Sequence, residues 1–147
     1  MEILYTRLND LAMALEDHGS NQWFWDRVTG ELILYSEDLS LEEMGYDQNP
    51  DDDPDRYLLI EPLDSRTGFR CMERFVEDLA DGECKRSLIR ALRGPRPFAS
   101  FRNVIDDFGD ERKQWFNYHN NWLLDEARSF IEDNDLGTIT DAPNCPP

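Results

Sequence analysis

Apolar residues near the start of the chain recur at three- and four-residue steps: Ile3, Leu4, Leu8, Leu11, Ala12 and Leu15. That spacing lines one face of a helix, so a first helix is expected over residues 2–17, with Gly19 as its stop. The period then changes to two. Gln22 to Val28 is rich in aromatic and β-branched residues, Thr29-Gly30 reads as a turn, and Glu31 to Tyr35 is a second strand-like run. Tyr57 to Ile60, closed by Pro62, reads as a third strand, and the three strands would form a small antiparallel meander.

From Asp64 onward the period is helical again. Asp64-Ser65 signals an N-cap, and Phe69, Met72, Phe75, Val76 and Leu79 share a face behind it. Gly82 separates a second run bearing Cys84, Leu88, Ala91 and Leu92, which Gly94 ends. Pro97 suits the first turn of a third helix carrying Phe98, Phe101, Val104, Ile105 and Phe108, with Gly109 closing it. A longer helix is expected from about Asp110 to Asp133, its stripe made of Trp115, Phe116, His119, Trp122, Leu123, Ala127, Phe130 and Ile131. The order reads as an α+β fold in which a small antiparallel sheet of about three strands packs against four to five helices, one domain over residues 1–135. Residues 136–147 show no periodicity and three prolines, and are expected to be a disordered tail.

Between the second and third strands, residues 36–56 are polar and acidic. Asp47 to Asp55 holds two prolines and five aspartates, which points to an exposed loop. An EF-hand reading starting at Asp47 places Asn49 and Asp51 correctly. It fails where the geometry matters most, because Asp52 stands where the sharp turn needs Gly and Leu58 where a bidentate Glu is needed. No metal site is expected, and no cofactor.

The 147 residues carry 32 acids against 15 bases, a formal net charge of -17. A field of that sign repels phosphate, so free nucleic acid is disfavoured and a partner with a basic surface is favoured. The charge is uneven. Residues 66–102 hold nine bases against five acids, a basic island in an acidic chain. Within it Arg86, Arg90, Arg93, Arg96 and Arg102 surround the turn at Gly94, and the first three step by four and three along one helix face. These five are the candidate ligand-binding residues, for a phosphate or nucleic acid, with Phe98 and Phe101 either in the core or free to stack on a base. Against that stands the expectation that, with so many acids available, the arginines pair with carboxylates of their own domain.

Cys71, Cys84 and Cys145 show no metal-binding spacing, and the odd count fits free thiols in a reduced cytoplasm. The first residues are too charged for a signal peptide, and no apolar run approaches the roughly 18 residues of a membrane span. For catalysis there are two histidines, His18 at the end of the first helix and His119 on the apolar stripe of the last, the latter reading as a packed core histidine. No nucleophile elbow, zinc-protease helix, phosphate loop or dinucleotide fingerprint occurs. No catalytic residue is assigned.

The hairpin WFWDRVTGELILY, the run RYLLIEPLDSRTGFRCMERFVEDL, the Ala91 to Asn103 turn with its phenylalanines and basic residues, and the Trp115-Phe116-x-Tyr118 cluster together resemble the bacterial uncharacterised protein family 0158, over roughly residues 20–133. The resemblance implies a small bacterial cytoplasmic protein and no particular activity. It also implies a basic Gly-Lys-Gly link where Pro95-Arg96-Pro97 stands here. Three functions are therefore ranked in order: a non-catalytic interaction or regulatory module for a protein partner, a phosphate or nucleic-acid binder through the arginine turn, and an enzyme with an unrecognised site.

Overall fold

The structure is a computed structural model that describes residues 2–141. It is α+β, with six α-helices, a three-stranded antiparallel sheet and a two-stranded parallel pair among the described residues. The chain separates into two compact units, one formed by residues up to Pro62 together with those from Leu123 onward, the other by Leu63–Trp122.

The first unit opens with a strand, not a helix. β1 (Glu2–Leu4) pairs in parallel with β5 (Thr138–Asp141), setting Ile3 beside Ile139. Two expectations change here: the first helix starts later than residue 2, and residues 138–141 are a strand and not part of an unstructured tail. Residues 142–147, with Cys145, lie outside the described residues. Ile3 fits a helical stripe and a strand equally well, and pairing with a distant segment decides between them. Helix α1 (Tyr5–Glu16) then buries Leu8, Leu11, Ala12, Ala14 and Leu15, the face its periodicity indicates.

The hairpin forms as its pattern requires, β2 (Gln22–Asp26) against β3 (Leu32–Tyr35), with Trp23 opposite Leu34 and Trp25 opposite Leu32. Gly30 takes the left-handed conformation at φ 73° that this turn needs. The third strand, β4 (Tyr57–Ile60), pairs with β2 and not with β3, so the order is β3-β2-β4 and the sheet is not a meander. The connection from β3 to β4 is too long to act as a tight turn, so nothing forces those strands to be neighbours. Phe24 and Trp25 are both buried although they point to opposite faces of β2, so both faces of the central strand are covered.

The acidic stretch between β3 and β4 has local structure of its own. Helix α2 (Leu41–Met44) starts with a capping box, Glu43 N–H donating to Ser40 Oγ at 3.1 Å and Ser40 N–H to Glu43 Oε2 at 3.0 Å. It ends at Gly45 in the left-handed region, φ 78°. A short 3₁₀ turn (Pro50–Asp52) follows, capped by Asn49 and with Pro50 fully buried. The stretch is tied to the hairpin where Tyr46 OH donates to the Leu34 carbonyl at 2.5 Å and Asn49 Nδ2 to Tyr35 OH at 3.2 Å.

The second unit is helical. Asp64 caps α3 (Ser65–Asp78) by accepting from Thr67 N–H at 2.7 Å, and α4 (Glu83–Arg93) and α5 (Pro97–Ile105) follow. The long helix α6 (Gly109–Asp133) supplies the last wall with its first part, and the division between the units falls inside it, after Trp122. The core is an aromatic cluster: Phe75, Phe101 and Trp115 meet edge to face, with ring centroids 4.8–6.4 Å apart. Such pairs add roughly 0.5–1.5 kcal/mol each beyond the area they bury. Phe116, expected on the stripe of α6, is 53% exposed under the Arg112 guanidinium. It follows Trp115 by one residue, a step of about 100° around a helix, and the core-facing arc does not reach that far.

Candidate functional site

The five candidate arginines lie on the α4–α5 pair. Helix α4 buries Cys84, Leu88 and Ala91. Arg86, Arg90 and Arg93 fall on the opposite side of that helix, since each stands about half a turn round from the buried stripe. Arg90 and Arg93 occupy the last turn, where a cation is favoured by the exposed carbonyls. Arg96 stands at the N-cap position of α5 without a side-chain cap bond, Pro97 is at its first position, and Arg102 stands in its last turn. All five are exposed.

None of the five lies within 4.0 Å of a carboxylate among the described residues. Arg90 donates to Ser87 Oγ at 3.3 Å. The expected pairing with the domain's own acids is therefore not found among the described residues, and the reason is local. At helical spacing, Arg90 and Arg93 meet arginine, serine, isoleucine, glycine or proline, and only Arg86 has an acid in reach, Glu83. Asp106, four residues beyond Arg102, pairs instead with Arg112 at 3.2 Å.

Most of the acids belong to the first unit. Residues 1–62 and 123–147 hold 22 acids against four arginines, a net of -18, whereas Leu63–Trp122 holds ten acids against eleven bases, a net of +1. Arg66, Arg70 and Arg74 form a second exposed stripe on α3 at four-residue steps, also without a carboxylate partner among the described residues. That spacing is legible in the sequence itself.

Beside the α4 stripe lies a groove of about 330 Å³ between α3 and α4. Its apolar lining is Phe69, Val76, Ile89 and Leu92. Glu73 and Glu77 edge it from α3, and Lys85 and Arg93 from α4. Lys85 is engaged, donating to the Glu77 and Leu79 carbonyls at 3.2 Å, so it closes the end of α3. Ile89 is the residue that pattern reading missed, because it sits at the margin between the buried face and the arginine face.

The remaining candidates are placed as follows. Phe101 is fully buried in the core, while Phe98 is 37% exposed and lies against α3 beside Gly68. His18 is exposed just past α1, and His119 is half-buried between the Trp115 and Trp122 rings, at 4.8 and 5.6 Å. Burial pushes the Cys84 thiol up to about 11, with the Glu111 charge adding to it, and Cys71 is buried too. Among the described residues no three His, Cys, Asp or Glu side chains group as metal ligands, and no helix is long and apolar enough to cross a membrane.

The family model described as "Uncharacterised protein family (UPF0158)" matches residues 1–143. The chain belongs to this family. The match extends beyond the 20–133 span that carries the resemblance and takes in β1 and β5. A UPF0158 protein of Pseudomonas aeruginosa, PA5073, is 27% identical over 129 residues, covering 88% of this chain and 82% of that protein. No solved structure matches this UPF0158 chain.

Proposed function

We propose that this UPF0158 member is a small interaction module without chemistry of its own, which holds an anionic partner surface on the exposed arginines of the α4–α5 pair. One observation carries this reading. In a chain with 32 acids, five arginines within seventeen residues are exposed and have no carboxylate partner among the described residues. Exposed guanidiniums recognise carboxylate and phosphate alike through paired N–H donors. The net charge of -17 alone would favour a basic partner, so the exposed arginines and not the overall charge set the sign here; that field opposes a duplex, with about one charge every 1.7 Å, more than a protein patch of a few carboxylates.

The test is retention of partners from nuclease-treated and untreated native lysate by the tagged chain and by the Arg86→Ala/Arg90→Ala/Arg93→Ala variant. A stoichiometric protein held by the parent chain and released by the variant is the expected result. Equal retention by both removes the arginines from the reading. Material lost on nuclease treatment would favour the nucleic-acid alternative.

A further inference from the structure

We infer that the partner is an amphipathic acidic peptide segment, seated with its apolar side chains in the α3–α4 groove and its carboxylates over the α4 arginines. The inference rests on the interaction-module reading above and narrows it to one class of partner. Its basis is the adjacency of two surfaces. Ile89 lines the groove, and Arg86 and Arg93 stand three residues before and four residues after it. Residues at those spacings are neighbours on a helix surface. A ligand that fills the apolar lining therefore passes directly beside two guanidiniums that no carboxylate of this chain occupies among the described residues.

The two rims differ in charge. The α3 rim carries Glu73 and Glu77, both exposed, and the α4 rim carries Arg93 with Arg86 beyond it. A uniform polyanion would meet repulsion from the first rim and leave the half-buried Phe69, Ile89 and Leu92, above the buried Val76, without an apolar partner. A segment with an apolar stripe, carboxylates on one flank and cations on the other satisfies all three surfaces. An amphipathic helix lying in a groove offers that arrangement, with apolar anchors at three- and four-residue steps.

The experiment is selection of a random phage-displayed library of about 16 residues, four helical turns, on the immobilised full chain. Enriched peptides are then measured by fluorescence anisotropy against the parent chain, Arg86→Glu/Arg93→Glu, Ile89→Asp and Glu73→Lys/Glu77→Lys, each checked for folding by circular dichroism. Apolar anchors at helical spacing with flanking acids are expected, and the arginine reversals and Ile89→Asp should each weaken binding by about tenfold or more, roughly the loss of one good contact. The rim reversal, which changes only exposed residues, should alter the preferred charge of the second flank without unfolding the unit. If the enriched peptides are acidic without apolar spacing, and bind Ile89→Asp as well as the parent, the groove assignment fails while the arginine reading stands. If nothing is enriched over the uncoated support, or the arginine reversals change nothing, both fail.

Discussion

Asp26 is the buried charged residue whose removal is most informative. It ends the central strand β2 and is 4% exposed. Its carboxylate accepts from Arg56 Nε at 3.1 Å and Nη2 at 3.0 Å, a bidentate pair, and also from Val28 N–H at 2.9 Å and Thr29 N–H at 3.4 Å in the hairpin turn. Burial by itself would raise the carboxyl's pKa. The Arg56 guanidinium and the turn N–H groups outweigh it and hold the carboxyl below its ordinary 3.8. A folded-state value below the unfolded one stabilises the protein above the unfolded pKa, and that stability is lost as pH falls through the folded value. Asp26→Ala removes all of these bonds and strands two N–H groups. Each hydrogen bond to a charged group is worth roughly 1.5–3 kcal/mol, but Arg56, 38% exposed, recovers part of its solvation. The expected net loss is about 3 kcal/mol at pH 7, and about half that for Asp26→Asn, which keeps an acceptor for the turn. Urea unfolding at pH 7 and at about pH 2.5 measures both, and the gap between parent and Asp26→Ala should narrow in acid. A loss under about 0.5 kcal/mol at pH 7, or a gap unchanged by acid, would refute the assignment.

Two further outcomes check the second unit. With Cys145→Ser removing the thiol outside the described residues, the native protein should give almost no reaction with an aromatic disulfide reagent at pH 8. Two thiols should appear in guanidinium, because burial keeps Cys84 protonated and Cys71 enclosed. Rapid labelling of Cys84 in the native state would contradict its burial. Trp115→Ala should cost about 3–5 kcal/mol by loss of the aromatic core, while Phe116→Ser should stay within about 0.5 kcal/mol, both read from thermal melts. Similar losses at the two positions would mean that both rings are in the core.

How much of this was legible in the chain depended on how far apart the interacting residues lie. The β2–β3 hairpin was readable because its period-two pattern, its Thr29-Gly30 turn and its cross-strand pairs all fall within fourteen residues. The N-cap of α3 and the breaks at Gly82 and Gly94 were readable for the same reason. The β1–β5 pairing was not, since Ile3 and Ile139 stand at opposite ends of the chain and only the fold brings them together. Strand order was hidden because the β3–β4 connection constrains neither neighbour. The shared, exposed face of Arg86, Arg90 and Arg93 is legible from their spacing, but composition misleads about carboxylate pairing. Counting acids over the whole chain ignores that an exposed guanidinium reaches only its helical neighbours and whatever the fold sets beside it.

The segregation of charge makes a last prediction, on salt. An acidic segment approaching the α4 arginines of the full chain is attracted at contact and repelled at long range, because the chain as a whole carries -17. These two effects do not screen equally. At about 0.01 M salt the Debye length is roughly 30 Å, and an approaching segment meets the net charge of the whole chain; near 0.15 M it is about 8 Å, and that net charge is largely screened while contacts within 4 Å persist. Affinity for an acidic peptide should therefore rise from 0.01 M to about 0.15 M salt and fall again by about 0.5 M, where the arginine contacts themselves weaken. A simple basic patch gives a monotonic fall instead. A steady loss of affinity from the lowest salt upward would show that the chain's net negative charge does not oppose the approach. An affinity indifferent to salt throughout would show that the arginines do not make the contact.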